Sequence, residues 1–457
     1  TYLSPDRYKR AVRDINRLLA VSAKDSGIAA GLADYQDQHL SPLRSADLIF
    51  SAEHPEQNPF YPWFSRRLPE MLEKAFSPRR REGREGLHEN RGSEWKDTAQ
   101  VVGFSLNYLS QALCTFAMIG YIRRAFPGMV IVLGGGLVSS WLKQPGWKNP
   151  FAGLVDHLIA GPGEGPLLTL LGVKDAKPHH VTPDYGSLPV GDYLSPGFIL
   201  PYSGSSGCYW NRCSFCPETA EGNPYIPVSA ARAVSDLHGL IAKTKPVLLH
   251  LLDNSVSPAL MRALAEDPIG VPWYGFARIG RELADLDFCM ALRRSGCVML
   301  KLGLESGDQG VLDELRKGID LETASRVLRN LRKAGIAAYV YLLFGTPAET
   351  IAEARKTLEF IVEHRDATTF LNLAVFNMPL CGPEAGEYET GHFYEGDLSL
   401  YTGFRHPRGW DRKQARRFLE HEFKKHSAVS AILKNDPPVF TSNHAAFFTG
   451  SSGLSYP

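Results

Sequence analysis

The chain has 457 residues, with 50 lysines and arginines against 49 aspartates and glutamates. This length exceeds what a single hydrophobic core supports, so we expect two or three domains. The balanced charge gives no electrostatic signal for binding nucleic acid or an anionic membrane, and no apolar stretch is long enough to cross a bilayer. The start of the sequence does not follow a signal-peptide pattern, and together these features favour a cytoplasmic protein.

Residues 1–173 alternate short apolar strands with helices. The pattern predicts a buried strand over Gln100–Tyr108, a helix over Ser110–Phe126 and a second strand over Met129–Leu133. A third strand is predicted over Asp156–Ala160. Strands that each end before a helix predict a parallel sheet of the Rossmann-like, flavodoxin-like type, with its ligand loops at the carboxyl ends of the strands. It stays open whether a first strand of this sheet is missing from the sequence.

Residues 174–196 are rich in proline, glycine, histidine and aspartate and show little periodicity, which is typical of a linker. Strand–helix repeats follow over residues 197–380. The predicted strands are Phe198–Tyr202, Val247–Leu252, Trp273–Ala277, Val298–Leu302, Ala338–Leu343 and Phe370–Phe376. Six successive repeats predict a parallel sheet curled into a partial (β/α)6 barrel of the TIM type, with its functional loops at one end. Residues 381–457 are predicted to form a small α-rich extension.

Three cysteines lie close together in the loop after the first of these strands: Cys208, Cys213 and Cys216. Closely spaced thiolates in a cysteine-poor chain suit a metal or an iron–sulfur cluster better than a disulfide. A structural zinc site normally has a fourth Cys or His at short spacing, but the next cysteine, Cys289, lies far downstream. The set therefore favours an iron–sulfur cluster with one open iron, and a zinc or purely structural site is the alternative.

The segment from about Phe198 to Phe376 resembles the radical S-adenosylmethionine (SAM) superfamily. The likeness rests on the cysteine loop, with Phe215 before the last cysteine, and on three further motifs at Gly303–Gly307, Lys317-Gly318 and Phe344–Glu349. In this superfamily three cysteines bind a [4Fe–4S] cluster and SAM chelates the fourth iron. The chain departs from the commonest spacing of the family, because four residues rather than three separate Cys208 from Cys213.

The resemblance implies roles for residues around the cluster. Phe215 is expected beside the adenine or the cluster edge, and Arg278, Glu305 and Ser306 are expected to hold the methionine or ribose groups of SAM. Asp253 lies in the loop where many relatives carry Gly-Gly-Glu, and it is also expected to contact SAM. A guanidinium pairs with a carboxylate, and a carboxylate accepts hydrogen bonds from an ammonium or a hydroxyl group. A structural ion pair at the barrel mouth is the alternative for Arg278 and Glu305.

Residues 1–173 resemble the cobalamin-binding domain that precedes the radical SAM domain in one large subgroup. The expected cofactor contacts are Ser105, Gly134, Gly135, Gly136, Gly163 and Glu164. Glycines at such turns let a bulky cofactor approach the backbone. The motif Asp-x-His-x-x-Gly, which supplies a histidine to cobalt in some cobalamin proteins, has only a partial match at Asp37–Pro42. Plain loops without a ligand are the alternative.

These motifs predict an enzyme that reductively cleaves SAM at a [4Fe–4S] cluster and starts radical chemistry on an unactivated carbon. With cobalamin bound, the expected reaction is methyl transfer, and a radical rearrangement or cyclisation without methyl transfer is the alternative. An alternative from another class is an iron–sulfur electron carrier or sensor. The expected partners are a small-molecule or peptide substrate and an external reductant of the flavodoxin or ferredoxin type. No feature of the loops identifies the substrate.

Overall fold

The computed structural model describes residues 4–76, 100–173, 180–186, 188–436 and 447, so part of the predicted linker, 174–179 and 187, lies outside the described residues. The chain divides into two compact units. The N-terminal unit comprises Ile15–His179 and His392–Thr402. The barrel unit comprises His180–Gly391 together with the segment that ends at Asp14 and the segment that begins at Gly403.

The two units differ from the predicted domain limits in two segments. The first residues of the chain group with the barrel unit, where the Tyr8 ring meets the Phe447 ring edge-on at 5.0 Å. His392–Thr402 groups with the N-terminal unit because Leu398 is fully buried in the same hydrophobic core as Trp141. Neither contact follows from local sequence patterns, since both join residues that are far apart in the chain.

The part of the chain up to Val173 contains a helical layer and two small sheets. Its helices are Pro5–Ala23, Ser45–Glu53, Tyr61–Phe76, Leu109–Ala125, Gly136–Leu142 and Glu164–Leu170. Its strands are Ile28–Ala30 and Tyr35–Asp37, which pair antiparallel, and Val101–Ser105, Val130–Gly134 and His157–Leu158, which pair parallel with Val130–Gly134 in the middle. The parallel sheet agrees with the sequence prediction, but Val101–Ser105 was predicted to be buried, and it lies at the sheet edge with none of its residues fully buried.

The barrel unit is built on a parallel sheet in which the strand order follows the chain order. In that order the strands are Ile199–Tyr202, Leu248–Leu251, Trp273–Ala277, Cys297–Glu305, Ala337–Phe344 and Phe370–Val375, which we call the first to sixth barrel strands. All five pairings between neighbours are parallel. This order is the one that a partial (β/α)6 barrel requires, and the α/β fold predicted from the sequence is confirmed.

Helices lie between the barrel strands, and helices and a short sheet follow the last of them. The helices between the strands are Pro217–Ala220, Ala230–Thr244, Pro258–Glu266, Leu286–Arg294, Gln309–Glu314, Leu321–Ala334 and Ile351–Glu363. After the sixth strand, the short strands Met378–Pro379, Thr390–Gly391 and Tyr401–Phe404 form a sheet, and Arg412–Phe418 and Ser427–Leu433 are helical, with a π-helical turn over Leu419–Phe423 between them. The predicted C-terminal extension therefore combines helices with a small sheet. No helix in the described ranges is both long and apolar enough to span a membrane.

The two faces of the barrel sheet have different compositions. Residues such as Leu249, Leu300 and Val340 point outward into the main core and are almost completely buried there. The alternate residues on the inner face include polar and aromatic side chains such as His250 and Lys301. Part of this face is itself packed, because Leu248, Met299 and Phe370 belong to a second buried cluster there. Parallel sheets covered on both sides are normally apolar on both faces, so His250 and Lys301 are the unusual residues of this face.

A buried carboxyl group ties the loop after the fifth barrel strand to the C-terminal part of the barrel unit. Glu349 is fully buried, and its Oε2 accepts hydrogen bonds from the Gly345 amide at 2.5 Å and from Trp410 Nε1 at 3.1 Å. Its Oε1 has no hydrogen-bond partner among the described residues. Burial raises the pKa of Glu349 from 4.5 to about 8. The group is therefore mainly protonated at neutral pH.

We expect Glu349→Gln to become more stable relative to the wild type as the pH rises. The folded-state pKa of Glu349 lies above the unfolded value, so its protonated form stabilises the fold below pH 4.5 and this contribution is lost as the pH rises through about 8. Between pH 6 and pH 9 the difference in unfolding free energy should shift by about 2–3 kcal/mol in favour of the variant. Urea unfolding at both pH values measures this shift. The exposed Glu359→Gln on the helix Ile351–Glu363 serves as the control, and an identical pH dependence in both variants would contradict the assignment.

Candidate functional site

The cysteine loop follows the first barrel strand and is closed at its base by a short strand pair. Ser205–Ser206 pairs antiparallel with Ile226–Pro227. Between them Gly207 has φ +72°, and a Cβ there would lie 2.3 Å from the Pro224 carbonyl oxygen. Glycine is therefore required directly before the first cysteine, because any side chain would force the two segments of the loop apart.

All three cysteines of the loop are half-buried, and none forms a disulfide. Burial raises the pKa of Cys213, and the positive charges of Lys317 and Arg278 oppose that effect. In the described ranges no three Cys, His, Asp or Glu side chains are close enough together to hold a single metal ion. A [4Fe–4S] cluster needs wider spacing because each thiolate binds a different iron. The donor set, three thiolates beside two cations, therefore fits a cluster better than a mononuclear zinc site.

The loop docks onto the backbone of Leu315–Gly318, which we call the carbonyl segment. The Ser214 amide donates to the Leu315 carbonyl at 3.1 Å, and Trp210 Nε1 donates to the Arg316 carbonyl at 3.1 Å. The Trp210 ring also lies against Gly318, which has φ +64°, and a Cβ on that glycine would come within 2.1 Å of the ring. These contacts hold the loop in place on both sides of Cys213.

The longer spacing between Cys208 and Cys213 is accommodated by local backbone geometry. Asn211 adopts φ +42°, a left-handed conformation that tightens the turn. Trp210, also one of the intervening residues, makes the contacts with the carbonyl segment described above. The additional residue therefore lies in the stretch that binds the cysteine loop to the carbonyl segment.

Arg278, at the end of the third barrel strand, completes the docking. Its Nη2 donates to the carbonyl oxygens of Lys317 and Gly318, the latter at 2.8 Å. Its guanidinium carbon lies 3.8 Å from the centre of the Trp210 ring, which is cation–π contact. Each carbonyl of the carbonyl segment thus faces a donor from the cysteine loop or from Arg278. The predicted site residue Arg278 thus lies beside the cysteine loop, and its contacts with the protein backbone could not be read from the sequence.

Glu305 and Lys317 form a largely buried ion pair at the carboxyl end of the fourth barrel strand. Glu305 Oε1 and Lys317 Nζ are 2.7 Å apart, and Glu305 has φ +68°, which a non-glycine residue adopts only under strain. A Cβ on Gly303 would lie 2.5 Å from Glu305 Oε1, so the pair requires glycine there. Lys317 Nζ lies 5.4 Å from the centre of the Phe215 ring. Phe215, Glu305 and Lys317 are therefore brought together beside the cysteines.

Two of the predicted SAM contacts point into the fold instead. Asp253 is buried, and its carboxylate accepts hydrogen bonds from the Gly204 amide at 3.0 Å and from Ser205 Oγ at 2.5 Å, at the base of the cysteine loop. Ser306 is fully buried, and its Oγ accepts from the Asp308 amide at 3.1 Å. Both residues therefore contact the protein itself. Asp253 supports the base of the cysteine loop, and Ser306 supports the end of the fourth barrel strand. Lys317 is a functional candidate that the motif Lys317-Gly318 contained but that the sequence did not assign to a role.

The glycine turns of the N-terminal unit have structural reasons of their own. Gly135 has φ +104°, and a Cβ there would lie 2.5 Å from the Leu106 carbonyl oxygen. The Asn107 side chain accepts from the Gly136 amide at 2.8 Å and donates to Ser105 Oγ at 3.2 Å. These contacts connect the loops at the ends of two neighbouring strands, so the glycines there serve backbone packing.

The third strand end of this unit is open. A Cβ on Gly161 or Gly163 would meet no atom within 4 Å, and Glu164 begins the helix that follows. Gly134, at the end of the middle strand, would bring a Cβ no closer than 3.5 Å to its neighbours. The carboxyl edge of this sheet is therefore open around Gly163, whereas Gly135 is enclosed by the backbone at Leu106.

Comparison with known proteins agrees with this geometry. Residues 202–361 match the model of the radical SAM superfamily. Over 188 residues, 39% of this chain, the sequence is 24% identical to an uncharacterized methyltransferase of Pyrococcus horikoshii. Over 279 residues, 50% of this chain, it is 24% identical to the anaerobic magnesium-protoporphyrin IX monomethyl ester cyclase of Rubrivivax gelatinosus. The matches span 40% of the first protein and 48% of the second.

Among solved structures, the chain is similar to the radical SAM methyltransferase TsrM of Kitasatospora setae, determined with tryptophan substrate and a SAM analogue bound. The match covers 71% of this chain and 73% of that one, with 18% sequence identity and a TM-score of 0.49.

We expect Gly318→Ala to weaken both the fold and iron binding, because the added Cβ meets the Trp210 ring. In the wild-type background the substitution should cost about 2–4 kcal/mol, the sum of an unfavourable φ and overpacking. In a Trp210→Ala background the clash is absent, and the same substitution should cost about 1–2 kcal/mol. Urea unfolding of the four proteins of this double-mutant cycle measures the difference, and bound iron per chain after reconstitution should fall in parallel. Equal costs in both backgrounds would show that Trp210 does not pack on Gly318.

Proposed function

From the radical SAM domain that this chain carries over residues 202–361, we propose that the protein binds a [4Fe–4S] cluster and uses it to cleave SAM reductively. The observation that supports this most strongly is the cysteine loop docked on the carbonyl segment, with Arg278 and Lys317 beside Cys213. Two fixed cations next to three thiolates offset the negative charge of a cluster. Cys208, Cys213 and Cys216 would hold three irons of the cluster, and SAM would bind at the fourth.

The cluster and SAM together supply a 5′-deoxyadenosyl radical that removes hydrogen from an unactivated carbon. In this proposal Cys208, Cys213 and Cys216 hold the cluster. Phe215 and Glu305 face SAM, the ring beside its adenine and the carboxylate beside its ribose or ammonium group. Arg278 acts mainly through the loop it fastens, and Lys317 fixes the orientation of Glu305. Asp253 and Ser306 support the loop and the strand end from inside the fold.

We infer that the reaction is methyl transfer dependent on cobalamin bound at the N-terminal unit. Methylcobalamin, when bound, supplies the methyl group. The proposed contacts are the open edge around Gly163 and Glu164, with Ser105, Gly134, Gly135 and Gly136 forming the neighbouring loops. The methyltransferase name of a relative supports this choice. The cyclase name of another supports the alternative, a radical rearrangement or cyclisation without methyl transfer.

The proposed partners are a small-molecule or peptide substrate and a flavodoxin- or ferredoxin-type reductant. None of the three loop cysteines, Cys208, Cys213 and Cys216, forms a disulfide, which suits a reducing, cytoplasmic compartment. The competing function, electron transfer or sensing without SAM cleavage, does not account for the polar inner face of the barrel sheet. An electron carrier needs only the cluster and a path for electrons, whereas an enzyme needs a chamber for its substrate.

We expect the anaerobically reconstituted protein to form 5′-deoxyadenosine when SAM and a strong reductant are added. The wild type should bind about four irons per chain, and Cys213→Ala should lose the cluster and the product together. Cys114→Ala, on the helix Leu109–Ala125 of the N-terminal unit, is the matched control and should retain both. Iron analysis and chromatography of the nucleoside measure the result. A complete cluster that yields no 5′-deoxyadenosine would refute SAM cleavage.

We expect the protein purified from cobalamin-fed cells to contain a corrinoid and Gly163→Trp to lose it. The indole would occupy the open space at the carboxyl edge of the sheet. Gly128→Trp is the matched control, because Gly128 also has free space around its Cβ position but precedes the strand Val130–Gly134, at the opposite edge. Absorption spectra of the purified proteins measure corrinoid content. A wild type without corrinoid would contradict cobalamin-dependent methyl transfer, and equal content in all three proteins would move the binding site elsewhere.

A further inference from the structure

Lys301 occupies an unusual place on the fourth barrel strand. Leu300 and Leu302 on either side of it pack outward into the main core, so Lys301 points to the inner face of the sheet. Its exposed fraction is only 2%. A lysine buried to this extent is rare unless its charge is paired, because taking an ammonium group out of water is costly.

The ammonium group of Lys301 has aromatic neighbours but no anion. Its Nζ lies 5.3 Å from the centre of the Tyr274 ring and 5.0 Å from that of Phe276, both within cation–π range. Across the described part of the chain, no carboxylate, carbonyl or hydroxyl oxygen accepts a hydrogen bond from it. Lys317 is also a buried lysine of the barrel, but its charge is paired, because its Nζ lies 2.7 Å from Glu305 Oε1.

Lys301 carries a positive charge on this surface, whereas the neighbouring His250 is neutral. His250 stacks on Tyr274 with ring centres 4.2 Å apart, and burial followed by the charge of Lys301 lowers the pKa of His250 to about 3. Burial lowers the pKa of Lys301 to about 8, so most of its amines remain protonated at pH 7. Tyr341 faces Phe276 at 5.0 Å. The inner face thus presents flat aromatic walls around one cation.

This surface lies along the strand that leads to the proposed SAM site. Lys301 precedes Gly303 by two residues and Glu305 by four, and on neighbouring strands it pairs with Phe276 and Tyr339. Phe276 is only partly buried, although residues on the outer face of the same sheet, such as Leu300, are fully buried. The inner face is therefore partly accessible at Phe276, directly beside Lys301. Active sites of such barrels lie at the carboxyl ends of the strands, so Lys301 lies on the strand that leads to the proposed site.

We propose that Lys301 binds an oxyanion of the substrate, a carboxylate or a phosphate or phosphonate group, while the surrounding rings hold an aromatic or other planar part of the same molecule. This inference rests on the proposed function, since it names the substrate class for that site. The three N–H donors of the ammonium group match the acceptor oxygens of such an anion. In a surface screened from bulk water this contact is stronger than at an exposed lysine, which gives Lys301 a role in substrate selection.

The unfolding temperatures of variants distinguish anion binding by Lys301 from a purely structural role. An unpaired buried charge opposes folding, so Lys301→Met should leave the unfolding temperature unchanged or raise it. Lys317→Met is the matched control, because it leaves the largely buried Glu305 without its partner and should lower the unfolding temperature. If Lys301→Met is destabilised as much as Lys317→Met, the lysine is structural and the proposal is overturned.

Binding of small anions to the reconstituted full chain, without reductant, tests the proposal directly. Benzoate and phenylphosphonate represent the two anion classes, and benzamide is the neutral counterpart of benzoate. At ten times its dissociation constant, at least one anion should raise the unfolding temperature of the wild type by about 2–4 °C and should have no effect on Lys301→Met. Whichever anion does so identifies the class. Benzamide should not distinguish the two proteins.

The proposal is overturned if neither anion stabilises the wild type or if both proteins respond equally. Its failure is distinguishable from failure of SAM cleavage, because the binding assay requires no radical chemistry. A protein that forms 5′-deoxyadenosine but ignores both anions loses only the substrate assignment. A protein that binds an anion through Lys301 but forms no 5′-deoxyadenosine retains the anion site and loses the proposed reaction.

Discussion

The docking of the cysteine loop onto the carbonyl segment is the interaction on which the rest of the site depends. A loop around a cluster has few hydrogen bonds of its own, and its polar backbone groups need partners when they are buried. Here the loop and Arg278 donate to each of the four carbonyls of Leu315–Gly318. The same contacts bring Arg278 and Lys317 to Cys213 and set Lys317 opposite Glu305. The docking of the cysteine loop therefore determines both the shape and the charge of the site.

The barrel sheet shows why the chemistry is on one of its faces. Its outer face is a continuous apolar surface that packs against helices and stabilises the fold, with Leu300 and Leu302 as typical members. Its inner face stabilises the fold less than the outer face does, because Lys301 and His250 are polar groups in a largely buried position. Anion binding by Lys301, as proposed above, would give this polarity a function. The fold thus separates stability and function by the alternation of side chains along each strand.

Much of the fold could be predicted from the sequence, because apolar runs that end in glycine locate parallel strands to within a few residues. The main exception is Cys297–Glu305, which continues beyond its apolar part through a register shift near Gly303.

Site residues were harder to predict. A sequence places Asp253 at a strand end but does not show that its carboxylate turns inward. Nor does it distinguish a glycine that admits a cofactor from one that, like Gly135, admits only another backbone segment. The pairing of Lys317 with Glu305 depends on loop geometry that no periodicity encodes.

The central claim is that SAM binds at the open iron of a cluster held by Cys208, Cys213 and Cys216. Electron paramagnetic resonance of the anaerobically reduced protein, recorded before and after addition of SAM, tests it most directly. We expect a signal of a reduced [4Fe–4S] cluster whose g-values change when SAM is added, because a new ligand alters the field at one iron. A cluster signal that SAM leaves unchanged would contradict the account and favour an electron-transfer protein.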